Sequence, residues 1–150
     1  MAGIKIICDN RNAFHNYSFE ERWEAGLVLL GTEVKALRDG KANLRDAYAL
    51  LKHGELWLLN AHISLYAHGN RENHEPLRSR KLLLHREELA KLWSKLQIRG
   101  YSLIPLKLYF KDGVAKAELG LGKAKKLHDK RAATKERDEK RTMDRLKRMK

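Results

Sequence analysis

Leu106-Lys107-Leu108-Tyr109-Phe110, then Lys111-Asp112-Gly113, then Val114-Ala115-Lys116-Ala117-Glu118-Leu119-Gly120-Leu121 reads as two strands closed by a tight turn. Asp112-Gly113 accepts the positive φ that a two-residue hairpin connection requires. A second pair lies upstream, where residues 48–51 and 56–59 flank Lys52-His53-Gly54-Glu55. Outside the two hairpins, Ile4-Lys5-Ile6-Ile7 makes a further short strand, followed by the polar cluster Asp9-Asn10-Arg11-Asn12. Leu27-Val28-Leu29-Leu30 is a strand-like apolar run, and Gly31 within it marks a bulge or sharp bend. Thr32-Glu33-Val34-Lys35-Ala36-Leu37-Arg38 alternates polar and apolar, as a half-buried strand does, and Asp39-Gly40 closes it.

Helices are predicted between these strands. Ser18-Phe19-Glu20-Glu21 has capping-box spacing, Phe19 and Trp23 stand four apart, and Gly26 is placed to end a short helix. Leu89, Leu92, Trp93 and Leu96 fall at i, i+3, i+4 and i+7, an amphipathic helix with Lys95 and Arg99 in its last turns and Gly100 beyond. Trp93 is assigned to the core. Residues 67–80 are polar, with Gly69-Asn70 and Pro76 marking an irregular loop. Short strands, two hairpins and glycine-marked bends predict a mainly β chain with α: a small antiparallel barrel with about three helices. The oligonucleotide-binding barrel is one such arrangement, and pattern alone does not separate it from other small barrels.

Charge then divides the chain. Residues 121–150 carry 13 Lys and Arg against 5 Asp and Glu, a net +8 of the total +13. A segment this polar buries too little apolar surface to offset its ordering entropy, so residues 122–150 are expected to be disordered when free and residues 1–121 to form the barrel. Yet after Gly122 the tail has neither Gly nor Pro, and Glu136 to Lys140 and Asp144 to Arg148 stand four apart in the favourable order, each pair contributing about 0.2–0.5 kcal/mol. That falls short of the nucleation cost, so a polyanionic partner must complete the helix.

A sequence pI near 10.0 points to nucleic acid rather than to acidic small substrates. The single Cys8 excludes an internal disulfide and is expected to pack as a small apolar residue. The first seven residues hold too short an apolar stretch for a signal peptide, and no segment approaches a membrane span, so a cytoplasmic protein without membrane attachment is expected. His62, His68 and His74 stand six apart, which matches no compact ligand motif. Glu20, Glu21 and Glu24 read as one solvated helical face, with neither nucleophile nor phosphate-cradling glycine loop beside them, so neither cofactor nor catalysis is expected. His128 lies in a basic cluster where its ring can stack on a base or donate to phosphate, and Phe14, Tyr17, Tyr109 and Phe110 are further stacking candidates for which burial is the default.

The ordered blocks Glu24-Ala25-Gly26, Gly31-Thr32-Glu33-Val34-Lys35-Ala36-Leu37-Arg38, Arg80-Lys81-Leu82-Leu83-Leu84 and His128-Asp129-Lys130-Arg131 resemble the SsrA-binding protein family, also called small protein B. Two departures stand out: Ala36 where the family often has Ser, and Ala124 where it usually has Gly. The resemblance implies a monomeric RNA-binding protein on an oligonucleotide-binding-like barrel. It would bind the tRNA-like domain of transfer-messenger RNA and, with elongation factor Tu, bring it to stalled ribosomes for trans-translation. It further implies RNA contacts at Asn10, Glu24, Leu83 and Lys116 on the barrel. In the tail it implies ribosome contacts at Lys125, Lys126, Asp129, Lys130 and Arg131, with His128 meeting the small-subunit decoding centre and the helix lying in the empty message channel. A general single-stranded RNA-binding or ribosomal accessory barrel is the alternative.

Overall fold

The hairpin at residues 106–121 lengthens at both ends in the computed structural model, which describes residues 3–67 and 73–125. The elements in order are β1 (Ile4–Asp9), α1 (Arg11–Asn16), β2 (Tyr17–Leu27), α2 (Gly31–Arg38), β3 (Ala42–Asn43), β4 (Tyr48–Lys52), β5 (Glu55–Leu59), β6 (His62–Ile63), β7 (Arg80–Leu83), α3 (Arg86–Leu96), β8 (Tyr101–Lys111) and β9 (Val114–Ala124). Both hairpin turns have the expected chemistry: Asp112 and Gly113 take φ of 51° and 80°, His53 and Gly54 take 54° and 74°. Positive φ at both central residues matches the twist of the flanking strands, which holds β8 to β9 and β4 to β5 in register.

The main sheet runs β1-β8-β4-β5-β7-β2-β9, all antiparallel, and β9 also pairs with β8, so six strands close into a ring with β1 added outside it. The mainly β barrel with three helices is therefore as expected, although two elements are not where the sequence pattern puts them. β8 meets β4 at Leu103 and then exchanges that neighbour for β1 at residues 107–111. Pro105, which has no N–H to give, stands at the exchange, next to a register shift between Pro105 and Lys107. Leu37, Leu44, Leu56, Leu58, Leu82 and Leu119 fill the interior at 2 % exposure or less. Cys8 packs against this core as expected, and burial pushes its thiol up to about 11, which keeps it protonated.

The segment expected as a capped helix at residues 18–26 is strand β2. Trp23 and Ala25 point inward while Arg22 and Glu24 point out, the period-two pattern of a sheet. A spacing of four between Phe19 and Trp23 is even as well as helical, and long-range pairing with β9 decides between the two readings. Conversely, the expected strand at residues 32–38 is helix α2, whose buried positions are Glu33, Ala36 and Leu37. The alternation misled because one of its polar members is interior. Leu30 at the helix start donates its amide to Glu33 Oε1 at 2.7 Å. α3 is the helix expected, with Leu92 fully buried, but Trp93 is 52 % exposed and is not a core residue.

Glu33 organises the junction of α2, β7 and the loop before β7. Its carboxylate accepts from Arg78 Nη2 at 2.6 Å and from Arg80 Nε at 2.6 Å, and neither Glu33 nor Arg80 has any exposure. Arg80 also donates to the carbonyls of Ala61 at 2.5 Å and Pro76 at 3.1 Å, fastening β7 to the preceding loop. His74 is pinned alongside, between Thr32 Oγ1 at 2.9 Å and the Ile63 carbonyl at 2.8 Å.

β9 continues past the division expected between residues 121 and 122. Gly122 pairs with Phe19 on β2 and Ser102 on β8, and a Cβ there would stand 2.3 Å from the Ser18 carbonyl oxygen. Only glycine permits that approach. The last tie is the Lys125 amide to the Asn16 carbonyl at 2.8 Å.

Candidate nucleic-acid interface

Because β2 lies between β7 and β9, residues distant in sequence meet on its outer face. Gly26 is paired with Leu83 on one side and Lys116 on the other. Directly paired residues on one face stand about 4.5–5.5 Å apart, so Leu83 and Lys116 flank a residue with no side chain. Glu24, two positions along β2, faces the same way. Leu83 is 50 % exposed, so the cluster offers an apolar contact, a cation and a carboxylate around a shallow floor. Gly26 keeps that floor open: its nearest neighbour would be Leu83 Cβ at 3.5 Å, ordinary contact.

The ion pairs of the adjoining β8 and β9 order this face. Lys111 Nζ lies 3.5 Å from Glu24 Oε1, and Glu118 is shared between Arg22 at 3.5 Å and Lys107 at 3.3 Å. Tyr109 donates its hydroxyl to Glu24 Oε2. That hydrogen bond, with lesser help from Lys111 and Lys116, holds the Glu24 carboxyl below its ordinary range. Burial first, and the Glu24 contact second, raise the Tyr109 phenol, which stays a donor. A small hollow of about 240 Å³ lined by Ile4, Arg22, Trp23, Glu24, Lys107, Tyr109 and Glu118 adjoins the cluster. Glu20, Glu21 and Glu24, expected on one helical face, are instead strand residues with separate partners: Tyr101 for Glu20, Lys95 for Glu21, and Tyr109 with Lys111 for Glu24.

Asn10 does not join this cluster. It is 4 % exposed, its amide Nδ2 donates to the Pro105 carbonyl at 2.9 Å, and its backbone amide donates to Leu106 at 2.8 Å. Asn10 thus locks the corner between β1 and α1 onto the irregular part of β8. It borders a second, larger cleft of about 650 Å³, between α1, β4, α3 and the start of β8, where Tyr48 and Trp93 are exposed. Of the four stacking candidates Tyr109 and Phe110 are buried, Tyr17 is half-buried, and Phe14 is exposed with its ring edge-on to Phe19. Lys125 leaves β9 beside this cleft, while Lys126, His128, Asp129, Lys130 and Arg131 lie outside the described residues, as does His68. Among the described residues no three His, Cys, Asp or Glu side chains converge as a metal site, and no helix is long and apolar enough to cross a membrane.

Sequence reasoning missed Tyr109 as the partner of Glu24. No local signal joins residues 85 positions apart.

Known proteins resemble this chain over most of its length. The family described as SmpB protein matches residues 7–149. The SsrA-binding protein of Geobacter sulfurreducens is 60% identical over 141 residues, covering 94% of this chain and 92% of the relative. That of Desulfitobacterium hafniense strain Y51 is 54% identical over 143 residues, covering 95% and 92%. A solved chain from work described as "tmRNA-SmpB: a journey to the center of the bacterial ribosome" is 44% identical, with a TM-score of 0.69 over 85% of this chain and 93% of that one.

Proposed function

The chain belongs to the SmpB protein family, and from that premise we propose that it binds the tRNA-like domain of transfer-messenger RNA and delivers it to stalled ribosomes in trans-translation. The observation that supports this most is the meeting of Glu24, Leu83 and Lys116 around Gly26 on three adjacent strands. Lys116 takes a phosphate, Leu83 packs on a splayed base, and Glu24 accepts from base amines or ribose hydroxyls. Asn10 holds α1 and β8 in place.

A general single-strand binder would stack successive bases on aromatic platforms. On this face Tyr109 is buried with its hydroxyl engaged, and Phe110 lies in the core behind it, so the residues favour recognition of a folded RNA by shape and polar contacts.

The tail has the second task. β9 separates Lys116 from Ala124 by eight residues, so the tail departs about 25 Å along the strand from the RNA face, at about 3.3 Å per residue. That separation lets the barrel hold one RNA while Lys125, Lys126, His128, Asp129, Lys130 and Arg131 engage the small-subunit decoding centre and the tail becomes helical in the vacant message channel. An occupied channel excludes it, which makes selection of stalled ribosomes steric. The protein works as a cytoplasmic monomer alongside elongation factor Tu and contributes no catalytic group of its own.

Competition binding, with the tRNA-like domain of transfer-messenger RNA set against bulk tRNA and single strands, tests the barrel, and a tagging assay on stalled ribosomes tests the tail. The full chain prefers the tRNA-like domain, Lys116→Ala weakens binding and flattens the salt slope by about one unit, and a chain ending at Arg131 binds like the full chain but does not support tagging. Preference for single strands would transfer the chain to the general binding class, and loss of RNA binding on truncation would overturn the division between barrel and tail.

A further inference from the structure

A carboxylate is a costly group to place where a polyanion docks, because it repels phosphate unless it is held against donors. Glu24 is so held, from beneath. Tyr109 stands on the outer face of β8 between Lys107 and Lys111 and is register-paired with Lys116, yet it is only 5 % exposed. Lys107 Nζ lies over its ring at 5.8 Å, and its hydroxyl is spent on Glu24 Oε2. Tyr109 is therefore placed to orient the acidic group of the RNA face without offering an edge to the RNA itself.

We infer that Tyr109 is a positioning residue for RNA recognition: it fixes the Glu24 carboxylate so that its remaining lone pairs meet N–H and O–H donors of the RNA while phosphates are left to Lys116. The inference rests on the reading of this face as the RNA-binding one. A free Glu side chain samples many rotamers and spends entropy when it binds; one already tethered does not. The tether also acts on ionisation. The charged and titratable groups around Glu24 are Arg22 from β2, Lys107, Tyr109 and Lys111 from β8, and Lys116 and Glu118 from β9, while β1 contributes the apolar Ile4. Glu118 is already engaged by Arg22 and Lys107, so the phenol serves Glu24.

The test is a binding cycle with the full chain and the isolated tRNA-like domain RNA, using Tyr109→Phe, Glu24→Ala and the double variant, with Glu24→Gln measured beside them. Tyr109→Phe is expected to weaken binding about fivefold or more in the parent and less than about twofold in the Glu24→Ala background, where the tether has no acceptor, the behaviour of coupled residues. Its acid limb is also expected to move: without the phenol Glu24 protonates at higher pH, so affinity falls earlier on acidification, a shift that a purely structural role for Tyr109 does not produce. Glu24→Asp, which shortens the reach to the phenol while keeping the charge and leaves Tyr109 untouched, is expected to match Tyr109→Phe and supplies the answer if that variant folds poorly. Full affinity in Glu24→Asp, or independent losses in the cycle, overturns the positioning role alone. Unchanged affinity in Glu24→Gln overturns it together with the reading of the face.

Discussion

Glu24 and Glu33 are both held ionised below the ordinary carboxylate range, in opposite surroundings. Glu33 has no exposure; burial alone pushes it up, and hydrogen bonds from Arg78, the Leu30 amide and Arg80 together more than reverse that push. Glu24 has a side chain 40 % exposed, lowered chiefly by one phenol. The first spends its acceptor capacity on the fold: four N–H donors, from Leu30, Arg78 and Arg80, saturate its two oxygens. The second retains capacity facing solvent. A perturbed carboxylate by itself therefore does not mark a functional site; what separates the two is whether acceptor capacity is left over and where it points.

The largest effect is expected from breaking the interior pair. Arg80→Met leaves Glu33 buried with Arg78 as its one remaining cation and is expected to cost about 3–5 kcal/mol, the scale for removing one partner of a buried ion pair. Urea unfolding measures it. The double variant Arg80→Met with Glu33→Leu is expected to recover part of the loss, since no uncompensated charge remains. Recovery is incomplete because the carbonyls of Ala61 and Pro76 still lose their donor. A loss below about 1 kcal/mol for the single variant would place the network on the surface scale and erase the contrast with Glu24.

That pair also explains how much of the molecule was legible in its sequence. The hairpins at residues 48–59 and 106–121 were legible because their turns are local chemistry, His53-Gly54 and Asp112-Gly113 taking the positive φ the strands need. α3 was legible through its apolar spacing, though Trp93, counted into the stripe, lies outside the core. α2 was not, because a pattern reading equates charge with exposure and Glu33 defeats that equation. β2 was not, because Phe19 and Trp23 suit both periods and only pairing with β9 settles the matter. The candidate face was named through family resemblance, residue by residue, while its geometry depends on Gly26 pairing with both Leu83 and Lys116, which no local window contains. Asn10 came by the same route and proved interior.

Acid separates the two glutamates with a smaller effect. Glu33 has a folded pKa below its ordinary value of 4.5, so its contribution to stability is fully present above that value and is lost as pH falls through the folded pKa. Unfolding free energy measured from neutrality downward is expected to decline below about pH 5. Glu33→Gln is expected to be less stable at neutral pH but to show a shallower acid limb. An equally steep limb in that variant would mean that other carboxylates govern acid unfolding and that Glu33 is not the coupled group.

The smallest effect belongs to Glu24, and it is the one that makes the comparison functional. Glu24→Gln keeps a carbonyl to accept the Tyr109 hydroxyl, so no buried polar group is orphaned, and what disappears is a charge already shared with solvent and with Lys111. Its stability is expected to lie within about 0.5 kcal/mol of the parent, the range of surface substitutions. The amide replaces one acceptor by a donor, however, so a site that must receive N–H and O–H groups from RNA is expected to bind more weakly although the fold is intact. Denaturation and RNA titration on the same preparation separate the two quantities. A variant that loses stability along with affinity would move Glu24 into the class of Glu33, and the outer face of β2 would then be scaffold rather than interface.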